Sequence, residues 1–247
     1  MNIMLIDVIV LTKNSEVYLE RCLKAIYENI PINNLIIVDG YSTDLTMNIV
    51  LEFKKKYDNI LILKDFGTRA TSRQKGIEKV KTDWFMFVDS DVVLCKKWYN
   101  KAKPLIKKNV GLIWGIEVWS TIRKNKTLRL FLLVTRKIFE IRGGTHDTLI
   151  RTELVKDIVI PKELHVFEDA YIKEWISKKG YLSIPCYSPF CIHFRPKEVW
   201  TIKGGLEIIS ESLKLGRISI IAKLTMAYGF YFIYSMYQIF TRKKISQ

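Results

Sequence analysis

Trp84-Phe85-Met86-Phe87-Val88-Asp89-Ser90-Asp91-Val92-Val93 is the stretch around which the rest of the chain is read. Residues 84–88 are all apolar and three of them are aromatic, the pattern of a strand buried on both faces. Such a strand avoids solvent, yet this one runs straight into two carboxylates. Asp89 and Asp91 therefore fall at its carboxyl end, the edge of an open α/β sheet where ligands bind. Two acids so close repel unless positive charge lies between or beside them, and a hard divalent cation bridging to phosphate oxygens relieves this. Asp and Ser also form turns readily, so the tripeptide alone fits a plain turn as well.

Upstream of that strand the pattern alternates. Residues 6–11 are β-branched and apolar and end in the polar loop Thr12-Lys13-Asn14-Ser15; a helix is expected over 16–28, stopped by Pro31. A strand over 35–38 then meets Asp39-Gly40-Tyr41-Ser42-Thr43-Asp44, followed by a helix over 45–57 and a strand over 60–63. A polar segment, 65–74, leads into a short helix over 73–80. This order predicts βαβ units and a mostly parallel, doubly wound sheet that places Asp39 on the same edge as Asp89 and Asp91. No Gly-x-Gly-x-x-Gly follows the first strand and no Walker lysine loop is present, which argues against a dinucleotide enzyme or a P-loop ATPase.

At 247 residues the chain is long enough for one large α/β domain, alone or with an appendage, and 49% hydrophobic residues exclude a disordered protein. Forty Lys and Arg against 25 Asp and Glu give a net charge of +15, which favours phosphates, polyanions or acidic lipid head groups. Cys22, Cys95, Cys186 and Cys191 show no paired metal spacing and no disulfide framework, so a reducing compartment is expected. The apolar start, 3–11, is broken by Asp7 and reads as a first strand, not a signal peptide.

Downstream, 96–108 reads as a basic amphipathic helix and 110–119 as a strand. Residues 121–140 interleave six basic residues with apolar ones, which fits either a core helix with a solvated face or one that meets a membrane or an acceptor. Gly143-Gly144-Thr145-His146-Asp147 reads as a turn that lets backbone approach a ligand. Glu168 and Asp169 open a helix, 170–179, ended by Gly180; acids there serve as dipole partners or, for Asp169, as a catalyst. Strands over 182–184 and 191–194 deliver His193, a residue type that is structural or ligating in that setting.

Taken in order, residues 38–44, Arg73-Gln74-Lys75-Gly76, Phe87-Val88-Asp89-Ser90-Asp91, Gly143-Gly144 and Glu168-Asp169 resemble family-two glycosyltransferases with the GT-A fold, over roughly 6–193. The resemblance implies inverting transfer of a sugar from a nucleoside-diphosphate sugar, assisted by Mn2+ or Mg2+. It implies that Asp39 contacts the nucleotide base, that Arg73 stands near the nucleotide and its phosphates, and that Asp89 faces ribose and metal. Asp91 is then the principal metal ligand, His193 a further one, and Asp169 the catalytic base that deprotonates the acceptor hydroxyl. Gln74 stands where Asn is common, and Tyr41 where many relatives have Gly.

This division gives a glycosyltransferase domain over 1–197 and a helical segment over 198–247. In the latter, 224–240 is uncharged, rich in Tyr and Phe, and followed by a basic tail. It suits a packed helix, an in-plane or dimerising helix, or a transmembrane anchor, with membrane association favoured. The resulting expectation is an enzyme at the cytoplasmic face of the membrane, acting on a lipid-linked or glycan acceptor and not on nucleic acid. The alternatives are a nucleotidyltransferase, which would want a glycine-rich basic loop after the first strand, and a basic nucleic-acid-binding protein, which leaves the buried strand and its acids unexplained.

Overall fold

A computed structural model of the chain describes residues 4–119, 144–164 and 167–194, together with 209, 210 and 213. Its strands are β1 (Ile6–Thr12), β2 (Ile32–Asp39), β3 (Ile60–Lys64), β4 (Trp84–Asp89), β5 (Val92–Leu94), β6 (Val110–Trp119), β7 (Asp147–Arg151) and β8 (Leu182–His193). Its helices are α1 (Glu16–Asn29), α2 (Thr46–Lys56), α3 (Arg69–Ile77), α4 (Trp98–Ala102) and α5 (Glu168–Lys178). The strands form one sheet in the order β3-β2-β1-β4-β7-β6-β8-β5.

The first four strands are parallel, as expected. In the second half β6 and β8 are parallel, but β7 runs antiparallel to both β4 and β6, and β5 runs antiparallel to β8. The sheet is therefore mixed, with the expected parallel pairings in the majority and β7 and β5 running against them. Alternation along β4 explains the unbroken apolar run. Trp84, Met86 and Val88 enter the layer packed by α1, α2 and α4, whereas Phe85 and Phe87 enter the opposite layer under α3 and α5. Burying a side chain such as Phe87 contributes about 2–3 kcal/mol.

Helix α3 starts four residues earlier than its apolar periodicity suggests. Thr68 caps it by accepting from the Thr71 amide at 3.4 Å, and Asp65 Oδ2 accepts from the hydroxyls of Thr71 at 2.6 Å and Ser72 at 2.8 Å. Polar capping, not hydrophobic spacing, defines that first turn. Gly76 lets α3 lie close on β1, since a Cβ there would stand 2.7 Å from Ile9 Cγ2. The expected helix over 96–108 is broken into α4 and a 3-10 turn, Lys103–Leu105, that contains Pro104, a residue that cannot continue an α-helix.

The two short strands expected near the end are one, β8. Its pairing with β6 jumps from Trp114↔Pro185 to Ile116↔Phe190, and the bulge absorbs residues between Pro185 and Pro189 that would otherwise break the ladder. The expectation for 121–140 lies outside the described residues, as does that for 198–247 apart from 209, 210 and 213. Among the described residues no helix is long and apolar enough to cross a membrane.

Candidate active site

Register places the chemistry on one edge. Thr12 pairs with Asp39 and Asp39 with Lys64, while Leu11 pairs with Asp89 on the other side of β1. Asp39 and Asp89 thus flank β1, two strand spacings or about 10 Å apart. Order reversal beside β1 makes this the crevice where open α/β sheets take ligands.

Asp39 is fully buried and closed. Oδ1 accepts from Thr12 Oγ1 at 2.9 Å and Ser42 Oγ at 2.6 Å; Oδ2 accepts from the Ser42 amide at 3.0 Å and Lys64 Nζ at 2.7 Å. Burial alone would raise its pKa, but the Lys64 ammonium and the Ser42 and Thr12 donors outweigh it and hold the carboxyl below the usual range.

Arg73 joins the two halves of the site. Its Nε donates to Glu168 Oε1 at 3.2 Å, its Nη2 donates to Asp89 Oδ1 at 3.4 Å and to Thr145 Oγ1, and its guanidinium lies 4.8 Å from the Phe87 ring centroid. Both Arg73 and Glu168 are buried. Burial pushes the Glu168 carboxyl up, Arg73 opposes this, Asp169 adds to it, and the net direction is upward. Glu168 Oε2 has no hydrogen-bond partner among the described residues. Asp89 is lowered: burial acts against it, but Arg73, His193 and His146 together prevail. Asp169 is buried beside Glu168 at the start of α5, its Oδ1 2.6 Å from the Ala170 amide. The Arg73 bridge therefore brings the Glu168–Asp169 corner to the Asp89–Asp91 turn.

Asp91 follows directly. The Phe194 amide donates to the Asp91 carbonyl at 3.1 Å, and Val92 pairs with His193. This sets His193 Nε2 3.1 Å from Asp91 Oδ2 and Nδ1 3.0 Å from Glu117 Oε1. Burial would lower the imidazole, but Asp91 and Glu117 hold it as imidazolium, with a pKa pushed up to about 11. Ser15 and Ser90 hydroxyls, 2.9 Å apart, pin the acidic turn to the loop after β1.

All six residues anticipated as functional thus reach the same edge. Glu117 was missed because it is a single acid in an apolar strand, and only the β6–β8 pairing, Trp119↔His193, shows its proximity. The stretch after Gly144 is not just a turn: Asp147 opens β7, and His146 Nδ1 bonds Asp147 Oδ1. Trp98 Nε1 donates to Asp147 Oδ2 at 2.8 Å, and Cys191 Sγ lies 3.4 Å from His146 Nδ1. His146, Asp147 and Cys191 offer potential metal ligands within 4.8 Å of one another, but all three are buried, whereas Asp91 and His193 keep some exposure at the edge. That cluster reads as a buried brace behind Glu117, whose Oε2 lies 3.9 Å from His146 Nε2.

An eight-stranded mixed α/β sheet with acids, an arginine and a histidine at one carboxyl edge is the GT-A class of architecture. The family model described as "Glycosyl transferase family 2" matches residues 7–149, more than half the chain. The chain belongs to that family. It is 28% identical over 196 residues, 72% of its length, to poly(ribitol-phosphate) beta-N-acetylglucosaminyltransferase TarS of Staphylococcus aureus, of which it covers 32%. It is 30% identical over 110 residues, 40% of its length, to poly(ribitol-phosphate) beta-glucosyltransferase of Bacillus spizizenii, of which it covers 17%. The chain thus spans at most about a third of either relative. Among solved structures, mannosyltransferase PcManGT from Pyrobaculum calidifontis, in complex with GDP-Man and Mn2+, superposes with a TM-score of 0.70 at 19% identity, over 87% of this chain and 65% of that one. Family membership favours glycosyl transfer over the nucleotidyl-transfer and nucleic-acid-binding alternatives.

Proposed function

We propose that the protein is an inverting glycosyltransferase that moves a sugar from a nucleoside-diphosphate sugar to a hydroxyl of a lipid-linked or glycan acceptor. The observation that carries this is the convergence of Asp39, Arg73, Asp89, Asp91, Asp169 and His193 on the crevice beside β1.

Asp91 and His193 would hold a divalent cation. They lie 3.1 Å apart as a carboxylate–imidazolium pair, so a cation would take the place of the proton His193 now shares with Asp91, and O/N donors suit Mn2+. Glu117 on His193 Nδ1 supplies the outer-shell hydrogen bond that orients such a ligand. Bound there, the cation neutralises the charge that develops on the departing diphosphate. Arg73 and Asp89 stand at the nucleotide side, with Asp39 at the base end. Asp169, buried and acidic, accepts the acceptor's proton as its oxygen attacks the anomeric carbon from the face opposite the diphosphate. A single displacement inverts that centre.

The poly(ribitol-phosphate) enzymes among the relatives, and the net charge of +15, support an anionic polyol-phosphate chain as the acceptor. The same charge and the apolar sequence at 224–240 support attachment at the cytoplasmic membrane face. The test is a panel of nucleotide sugars incubated with the purified chain, Mn2+ and polyol-phosphate acceptor. Release of UDP or GDP with formation of an anomer of inverted configuration is expected. A retained configuration, or no turnover of any donor, contradicts the reading.

A further inference from the structure

Residues 96–108 hold six lysines and no acid, a density of charge that the chemistry beside β1 does not use. Lys96, Lys97, Lys103, Lys107 and Lys108 are exposed, and none of them forms an ion pair among the described residues. Lys97 and Lys103 border a cavity of about 320 Å3 between α4 and the end of α1, whose wall also holds Asn29, Tyr99 and Asn100. Among the described residues that line it Glu28 is the single acid, so its field is positive.

The wall is held in shape and short of a partner. Lys97 has φ +58°, a left-handed conformation uncommon outside glycine, fixed by its amide donating to Asn29 Oδ1 at 2.7 Å. Tyr99 is 4% exposed, and its hydroxyl has no hydrogen-bond partner among the described residues. Two ammonium groups with amide and hydroxyl donors around a space of this size suit a phosphodiester.

Position decides which one. Ile30 and Pro31, in the same wall, lead directly into β2, so the cavity lies at the amino edge of the sheet, opposite the acids. Helix α1 joins the two places: it begins beside Ser15, which bonds Ser90 of the acidic turn, and ends at Asn29. Its 14 residues put the cavity about 20 Å from that turn. One polyol phosphate does not bridge that gap, whereas a chain of several repeats does. A bilayer docked at the amino edge would turn the acids away from a lipid-linked acceptor; a chain tethered there would not.

We propose that this lysine-bordered cavity is a second, non-catalytic site for the acceptor, gripping a phosphodiester of a polyol-phosphate chain several repeats from the unit that receives the sugar. This rests on the acceptor reading above and gives it a specificity: long chains over single units, because a tethered chain presents its reacting unit at high effective concentration.

The experiment measures sugar transfer by the full chain to long poly(ribitol phosphate) and to ribitol 5-phosphate, with Mn2+ and the donor found active in the panel. Lys97→Gly combined with Lys103→Gln removes both cations, and glycine keeps the positive φ, so the fold holds. That variant should raise the long-chain KM roughly tenfold or more, with kcat and the ribitol 5-phosphate KM within about twofold. Tyr99→Phe should raise the long-chain KM about threefold. Lys156→Gln with Lys162→Gln removes the same charge from exposed positions on the opposite layer and should change neither KM. An unchanged long-chain KM in the Lys97 and Lys103 variant, or an equal rise in the opposite-layer pair, overturns the second site and leaves glycosyl transfer standing. An unchanged long-chain KM in Tyr99→Phe overturns the cavity as its seat. Weakened binding to phosphatidylglycerol vesicles with the long-chain KM intact assigns the lysines to a membrane and overturns the proposal. Native protein that glycosylates neither acceptor overturns the polyol-phosphate reading and the second site together.

Discussion

The two ends of β1 each bury a carboxylate, and they do so with opposite chemistry. At the amino end Asp7 is fully buried and takes only neutral donors. Asn33 Nδ2, the Asn34 amide and Asn34 Nδ2 reach Oδ1 at 2.9–3.1 Å, and the Lys81 and Thr82 amides reach Oδ2 at 2.6 and 3.1 Å. At the carboxyl end Asp39, Asp89 and Asp91 meet Lys64, Arg73 and His193. Backbone amides cannot leave, so Asp7 is committed to the fold. Side-chain cations can exchange partners, so Asp89 and Asp91, which keep some exposure, are open to a ligand that brings its own charge, while Asp39 stays closed by Thr12, Ser42 and Lys64.

The sharpest way to break this contrast is to neutralise one acid at each end. Asp169→Asn should lower kcat by about 10^3-fold, within the range of a lost general base, with little change in Tm. Asp7→Ala should do the reverse. It leaves backbone amides unsatisfied and costs about 3 kcal/mol, seen in chemical denaturation, while activity per folded molecule holds. A smaller effect sharpens the division inside the active edge itself. His193→Gln, and more mildly Glu117→Gln, should weaken Mn2+ binding about 10–100-fold in an EPR titration.

The smallest effect is in pH. Asp7 has a lowered pKa, because its backbone and amide donors outweigh a burial that acts the other way. The native state therefore binds fewer protons than the unfolded chain near the carboxylate range, and the stability Asp7 supplies is present above its unfolded pKa and lost as pH falls through its folded one. Replacing it with Asn should flatten the acid limb of the stability curve below about pH 4, measured by urea midpoints. An unchanged slope would place Asp7 outside the set of groups that set acid stability.

The parallel half of the sheet was legible in the sequence because each strand is a continuous apolar run ended by a polar turn. Asp39, Asp89 and Asp91 sit where those runs stop. The antiparallel half was not, since β7 begins within a Gly-rich stretch and β5 is three residues long, too short for periodicity to register. Helix α3 was displaced because its first turn is held by Thr68 and Asp65, which carry no hydrophobic signal. Glu117 and the buried Arg73–Glu168 pair belong to contacts between strands and helices far apart in sequence, 76 residues in one case and 95 in the other, and no local pattern announces them.

The claim that the carboxyl edge is built for a cation-borne diphosphate is tested most directly by Mn2+ binding in the presence of UDP or GDP. The native chain should bind Mn2+ with the nucleotide and gain several degrees in Tm, and Asp91→Ala should show neither. Mn2+ and nucleotide bound equally well by Asp91→Ala, or by neither protein, would contradict it.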